Sequence, residues 1–370
     1  MKIPVPDYIN EIAPYVPGKP IEELERDYGI ADSVKLASNE NPLGPSPKAI
    51  EALGKVFDRL HRYPDGAGFE LLRSLADHLG VNDSEIVMGN GSDDLLGMLA
   101  RILLTPGDEV VVPEPSFLMY TIVAQSAGAI PIKVPLRELS IDLDGILERI
   151  GPRTRMIFIC NPNNPTGTIV RRQAFEAFLA RVPPDIVVVA DEAYFEFVRD
   201  ENAVTGLAYL DGDVPVVTLR TFSKAYGLAG LRVGYGVMPA PLAALVNRVR
   251  MPFNVNSMAQ TAAVAALTDT DFLQKTLSTV HQGLDFLYAE LSDRGFRTFP
   301  SQANFFLIDV QQSADVVFDL MLRQGVIVRS MRAYGYPNYI RLSVGRPDEN
   351  RRFLSALDMV CRSSDQQNQS

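Results

Sequence analysis

From Val34 onward, short apolar runs rich in β-branched residues alternate with stretches of helical periodicity. The runs are Ile86–Met88, Glu109–Pro113, Arg155–Cys160, Ile186–Ala190, Val214–Leu219 and Arg232–Val237. Continuous apolar strands separated by helices predict an α/β fold, with a mostly parallel sheet covered on both faces. Glu70–Leu79 sets Leu71, Leu72, Leu75 and Leu79 on one helical face, and Gly80 stands where a C-terminal cap belongs. After Asn256 the pattern becomes a long helix, with Leu284, Leu287, Tyr288 and Leu291 in register and Gly295 as the stop. Two further strand-like runs, Phe305–Val310 and Tyr339–Val344, predict a smaller α+β unit. Residues 1–30 carry Pro14, Pro17 and Pro20, then turn acidic, and read as an arm with one short helix. Ser363–Ser370 is polar and reads as a disordered tail. The expected division is an arm over 1–30, a large domain over 31–255, a small domain over 256–362 and a tail over 363–370.

A chain of 370 residues exceeds the roughly 250–300 that a single core sustains, which agrees with two lobes. With 35 Lys+Arg against 45 Asp+Glu, the net charge of −10 argues against nucleic-acid and anionic-membrane partners. Local basic pockets for small anions stay open. No apolar run approaches the roughly 18–20 residues of a membrane span. The first twelve residues, broken by Pro4, Pro6 and charges, do not read as a signal peptide. Cys160 and Cys361 make no disulfide framework, and His61, His78 and His281 fit no metal-ligand spacing. A soluble cytoplasmic enzyme without a metal is the expectation.

Ligands in parallel sheets bind at the carboxyl ends of the strands, and four polar motifs stand there. Gly89-Asn90-Gly91-Ser92-Asp93-Asp94 precedes the apolar helix Leu95–Leu104. Such a turn presents free N–H groups to a phosphate, or is an ordinary turn capped by Ser92 or Asp93. It is not a dinucleotide fingerprint, because Asp94 replaces the third glycine. Asn161-Pro162-Asn163-Asn164-Pro165-Thr166-Gly167 is a stiff loop able to fix an Asn amide as donor. Asp191-Glu192-Ala193-Tyr194 places a carboxylate at a strand end, where it needs a cationic partner. An Mg²⁺ ligand or a helix cap would also fit that position, but no G-x-x-x-x-G-K-[ST] loop accompanies it. Thr221-Phe222-Ser223-Lys224-Ala225-Tyr226-Gly227-Leu228-Ala229-Gly230-Leu231-Arg232 carries a lysine between hydroxyls and an arginine. A partly desolvated lysine has a depressed pKa and can form a Schiff base, and an arginine can grip a phosphate with two bonds. Lysine, carboxylate and phosphate cradle together meet the needs of pyridoxal phosphate.

These motifs, with Ser38-Asn39-Glu40-Asn41-Pro42-Leu43-Gly44 and Arg62-Tyr63-Pro64-Asp65-Gly66, resemble in their order those of the fold-type I, aspartate-aminotransferase-like enzymes. Within that group they resemble the histidinol-phosphate aminotransferases, over about Pro14 to Arg346. The resemblance implies a large cofactor-binding domain, a smaller α+β domain and transfer of an amino group between histidinol phosphate and 2-oxoglutarate in histidine biosynthesis. It implies that Lys224 carries the cofactor and shuttles a proton, that Asp191 pairs with the ring nitrogen, and that Tyr194 and Asn164 bind the phenolic oxygen. Phe117 would stack on the ring, where some relatives carry Tyr. Ser92, Asp93, Thr221, Ser223 and Arg232 would hold the phosphate, joined by Tyr63 of a second copy in a homodimer. Arg341, Arg329, Asn164 and Tyr15 would bind substrate, the arginines taking both the phosphate ester and the carboxylate of glutamate. An aromatic-amino-acid aminotransferase or a threonine-phosphate decarboxylase shares most of these residues. A non-catalytic regulator on the same fold would show a damaged lysine or cradle, and Lys224, Asp191 and Arg232 are intact.

Overall fold

The computed structural model of the protein describes residues 3–15 and 18–367, and side chains as far as Val360. Pro17 of the arm, the Cys361 side chain and residues 368–370 of the expected tail lie outside the described residues. The amino-terminal part contains helices α1 (Asp7–Asn10), α2 (Ile21–Tyr28), α3 (Pro47–Leu53) and α4 (Phe69–Leu79), with strand β1 (Val34–Lys35) between α2 and α3. The arm thus holds two helices where one was expected, because Pro6 and Pro20 each stand at an N-cap and start a helix.

Among the described residues one sheet has seven strands: β2 (Ile86–Gly89), β3 (Glu109–Glu114), β4 (Ile130–Pro135), β5 (Thr154–Cys160), β6 (Val187–Asp191), β7 (Val216–Thr221) and β8 (Gly234–Val237). Their order is β2-β8-β7-β6-β5-β3-β4. Pairings from β7 to β4 are parallel, and β8 runs antiparallel to both β7 and β2. The apolar runs predicted the inner strands because both faces of each are buried. Val110, Val112 and Phe158 face one core with helices α5 (Ser92–Leu103) and α6 (Met119–Ser126). Val111, Ile157 and Ile159 face another, against α7 (Leu143–Glu148) and α8 (Arg172–Leu179). The edge strand β4 was not foreseen. Its exposed Ile130 and Lys133, with Pro131 and Pro135, break any apolar run, as an edge allows.

The turn before α5 also differs from the expected capping. The helix starts at Ser92, so Gly91 is the N-cap and neither Ser92 nor Asp93 caps it. After α9 (Ala240–Val249) and α10 (Ser257–Leu267) comes the long α11 (Thr270–Asp293), ended at Gly295 as predicted. Helix α10 packs on α3 and α4. A four-stranded antiparallel sheet follows, in the order β12 (Arg329–Ser330), β13 (Tyr339–Ser343), β10 (Phe305–Asp309), β9 (Arg297–Phe299). Helix α12 (Ala314–Arg323), strand β11 (Val326–Ile327) and helix α13 (Pro347–Gln367) complete this part. No Gly or Pro follows Pro347, and α13 runs on to Gln367, into the stretch expected to be disordered. Strand β1 pairs in parallel with β11, and Leu24 of α2 packs with Ala37, Leu322 and Ile327. The segment after β1 therefore runs between β11 and β13, with the Leu36 amide donating to Ile327 O and the Ser343 amide to Leu36 O.

Candidate active site

The carboxyl ends of β5, β6 and β7 and the start of α5 surround a cavity of about 290 Å³. Lys224 reaches into it from the loop after β7, and its Nζ donates to Ser38 O at 3.1 Å. Burial, reinforced by the nearby Arg341 charge, brings the Lys224 ammonium down to about 8. Asp191 ends β6 and is 3% exposed. Its Oδ2 accepts from the Tyr120 hydroxyl at 2.7 Å and its Oδ1 from the Ala193 amide at 3.2 Å. Burial pushes its carboxyl up to about 6, against the lowering effect of the Tyr120 bond. Phe117 lines the cavity and meets Tyr120 edge-on, with ring centroids 5.6 Å apart.

Tyr194 and Asn164 stand together: Asn164 Nδ2 donates to the Tyr194 hydroxyl at 3.5 Å and Asn39 Nδ2 donates to it at 3.0 Å. Burial raises the Tyr194 phenol, so it stays protonated.

At the opposite end α5 begins without a side-chain cap, leaving its first-turn N–H groups without intrahelical partners. Ser92 and Asp93 form that turn and line the cavity. Two glycines make room for it. A Cβ on Gly91, at φ 78°, would lie 2.6 Å from Arg232 Nη2, and one on Gly234 would lie 2.6 Å from the Ser92 nitrogen. Arg232 itself has φ 60°, its Nη1 donates to Ala229 O at 3.0 Å, and its Nη2 lies 3.7 Å from Asp93 Oδ2. Burial raises the Asp93 carboxyl, while Arg232 and Lys224 oppose that rise. Thr221 and Ser223 complete the cradle, with the Thr221 hydroxyl donating to Ser223 Oγ at 2.9 Å. This donor set suits pyridoxal phosphate: an anion cradle, a lysine of depressed pKa, an aromatic wall and a buried carboxylate share one cavity.

A second cationic region adjoins it. Arg341 in β13 is 7% exposed; its Nη1 donates to Asn164 Oδ1 at 2.5 Å and its Nη2 to Ala37 O at 2.7 Å. Its buried Nε finds no partner among the described residues. Arg329 and Tyr15 line the same cavity. Tyr63 does not; it is 83% exposed and stacks on Phe253, with centroids 4.7 Å apart.

Residues 31–357 match the family model of aminotransferase class I and II. The chain belongs to that family. This aminotransferase is 47% identical over 360 residues to the histidinol-phosphate aminotransferase of Desulfotalea psychrophila, covering 96% of this chain and 95% of that one. It is 49% identical over 350 residues to the histidinol-phosphate aminotransferase of Moorella thermoacetica, covering 94% and 91%. Among solved structures it is similar to histidinol-phosphate aminotransferase from Sinorhizobium meliloti in complex with pyridoxal-5'-phosphate. The TM-score there is 0.89 at 29% identity, covering 96% of this chain and 97% of that one. A Thermus thermophilus aspartate aminotransferase mutant, at 22% identity and TM-score 0.84 over 97% and 100%, shares the fold.

Four groups in the aminotransferase site escaped the sequence reading. Asn39 sat in a quoted motif without a role, yet its left-handed backbone (φ 55°) turns its amide toward Tyr194. Tyr120 had no place in the sequence reading; it is buried on α6, and its one turn of spacing from Phe117 was the available signal. Tyr334, buried beside the arginines, carried no signal in spacing. Arg220 stands between the Val214–Leu219 run and the Thr221 motif and belonged to neither; its Nε and Nη2 donate to Glu192 Oε2 at 3.0 and 2.8 Å, pairing the carboxylate that follows Asp191.

Proposed function

We propose that this aminotransferase binds pyridoxal 5'-phosphate and exchanges an amino group between histidinol phosphate and 2-oxoglutarate, the step that relatives of nearly half-identical sequence are named for. The observation that carries the reading is the placing of Arg341 and Arg329 on the wall of the cavity that also holds Lys224 and Asp191. A pair of arginines there accepts two different anions in turn, the phosphate ester of one substrate and the carboxylate of the other.

Ser92, Asp93, Thr221, Ser223 and Arg232 would hold the cofactor phosphate, Asp191 its ring nitrogen, Phe117 its face, and Tyr194 with Asn164 its phenolic oxygen. When bound, pyridoxal phosphate supplies an electron sink for the carbon that bears the amino group. Lys224 Nζ, whose ammonium is brought down to about 8, would carry the proton between that carbon and the cofactor. Asp191 stays ionised against the ring nitrogen, fixed by two hydrogen bonds. Asn39 and Asn164 orient the Tyr194 hydroxyl, whose raised pKa keeps it a donor. Arg341, held at both Nη atoms, is a preorganised clamp, and Tyr15 of the arm, on the wall of the same cavity, would close over the substrate. A homodimer would bring Tyr63 of a second copy to the phosphate cradle. The arm, the large domain and the small domain would divide near residues 30 and 255. Among the described residues no helix is long and apolar enough to cross a membrane, and a cytoplasmic location fits the reading.

The test is a single half-reaction followed by absorbance, with cofactor-loaded protein mixed separately with histidinol phosphate, phenylalanine, glutamate and threonine phosphate. Fast bleaching of the cofactor band by histidinol phosphate and glutamate is expected, with a slower response to phenylalanine. A preference for phenylalanine would make the chain an aromatic aminotransferase. Release of CO₂ from threonine phosphate would make it a decarboxylase.

A further inference from the structure

Behind the cavity, Tyr120 ties three parts of the site together. It is fully buried on α6, and its ring stacks on Phe158 of β5 at 4.4 Å with an interplanar angle of 9°. Its edge meets Phe117 at 5.6 Å and 87°. The two ring contacts leave it one orientation, and in that orientation its hydroxyl donates to Asp191 Oδ2 at 2.7 Å. Asp191 Oδ1 is held by a backbone amide that no side-chain change can remove. The rotation of the carboxylate about its own axis is thus set by Tyr120 on one side and by the turn at Ala193 on the other.

We propose that Tyr120 is a positioning residue for the proposed transamination: it fixes the Asp191 carboxylate, keeps it ionised, and couples its placement to the Phe117 wall. The proposal rests on the pyridoxal-phosphate reading above. Its physical basis is that a carboxylate deprived of water needs donors to remain charged. The groups that face Asp191 from the packed elements are Asp93 on α5, Tyr120 on α6, Cys160 at the end of β5, and Glu192 and Tyr194 after β6. Asp93 and Glu192 favour the protonated form of Asp191, and Cys160 stays a neutral thiol, pushed up to about 12 by burial. Among these side chains Tyr120 is the hydroxyl donor on Asp191, and its own phenol is held protonated by burial.

The experiment uses the full chain, wild type and Tyr120→Phe, with a third protein carrying 3-fluorotyrosine at position 120. The fluorinated phenol is a stronger donor of nearly the same shape, so its effect must run opposite to that of Phe. In apo-protein labelled with ¹³C-carboxyl aspartate, the Asp191 titration midpoint is expected to rise by about one pH unit in Tyr120→Phe and to fall with 3-fluorotyrosine. The affinity of apo Tyr120→Phe for pyridoxal phosphate, read by fluorescence, is expected to drop about tenfold at pH 6 and to recover toward wild type at pH 8, where Asp191 ionises unaided. A merely structural role would give a deficit independent of pH. If the three proteins share one Asp191 midpoint and one pH profile of cofactor affinity, the role assigned to Tyr120 is overturned. Should Tyr120→Phe fail to fold, the fluorinated protein decides alone, an unmoved midpoint overturning the role. If wild-type protein takes up no pyridoxal phosphate, the functional reading falls instead, a result distinct from an unchanged variant.

Discussion

Lys224 and Asp191 are buried ionisable groups whose surroundings favour the neutral form of each, the lysine brought down to about 8 and the carboxyl up to about 6. For the lysine this is a chemical advantage, since a free amine is available near neutral pH. Lys224→Ala is expected to lower turnover by about 10³-fold or more while pyridoxal phosphate still binds non-covalently through Asp191 and the cradle. Stopped-flow rates and a dialysis assay of bound cofactor check both parts, and unchanged turnover would remove Lys224 from the chemistry. Arg341→Ala, which deletes a clamp held at both Nη atoms, is expected to raise KM for histidinol phosphate and for glutamate by about 10–100-fold. Equal KM values in variant and wild type would place the anion site elsewhere. Asp191 also leaves a mark on stability. Its folded pKa of about 6 exceeds the ordinary 3.8, so the native state binds more protons between those values. The stability this group contributes is complete below pH 4 and is lost as pH rises through 6, by about 3 kcal/mol. Apo Asp191→Asn should therefore gain on wild type in melting temperature between pH 4 and pH 7. A constant difference over that range would contradict the raised pKa.

At the scale of elements, the inner strands were legible because burial on both faces leaves unbroken apolar runs, as Val110–Val112 and Ile157–Ile159 show. Strand β4 was not, since an edge tolerates Pro131 and Lys133. The residues at strand ends were legible because a polar motif after an apolar run has few structural uses. Asn39 and Tyr120 escaped because their roles depend on a backbone turn and on a ring orientation that only packing defines. The start of α5 shows how an element becomes a site. Gly234 on β8 lets the helix terminus approach, and a Cβ there would meet backbone atoms of Ser92 and Arg220 at 2.6 and 2.8 Å. Gly234→Ala must therefore move backbone, at a cost of about 1–3 kcal/mol, and is expected to weaken pyridoxal phosphate binding about tenfold. Gly97→Ala, in the same helix with nothing within 4 Å of its Cβ, should instead be neutral or stabilising by up to about 1 kcal/mol. Thermal melts and cofactor titrations of the two variants decide whether the close approach at Gly234 matters. Equal behaviour would show that it does not.

For the whole molecule, the decisive residue is Tyr63, which lies on the surface of its own subunit, outside the cavity. Phe57, Leu60, Phe69, Met251 and Phe253 are exposed as well. Large apolar side chains left in water over neighbouring stretches of chain are a surface that a second copy would cover. If that copy supplies Tyr63 to the cradle, each site is built from two chains, and complementation follows by geometry. Take Lys224→Ala and Tyr63→Ala, each inactive or nearly so alone, dissociate them, mix them in equal amounts and reassociate. In a mixed dimer one site carries both lesions, and the other combines an intact Lys224 with an intact Tyr63. Half of the dimers are mixed and one of their two sites is whole, so about a quarter of wild-type activity should return. If Tyr63 served its own subunit, every site in the mixed dimer would keep one lesion and no activity would reappear. Sedimentation of the mixture shows that dimers have formed, so recovery near a quarter supports the shared site, and its absence in a dimeric sample refutes it.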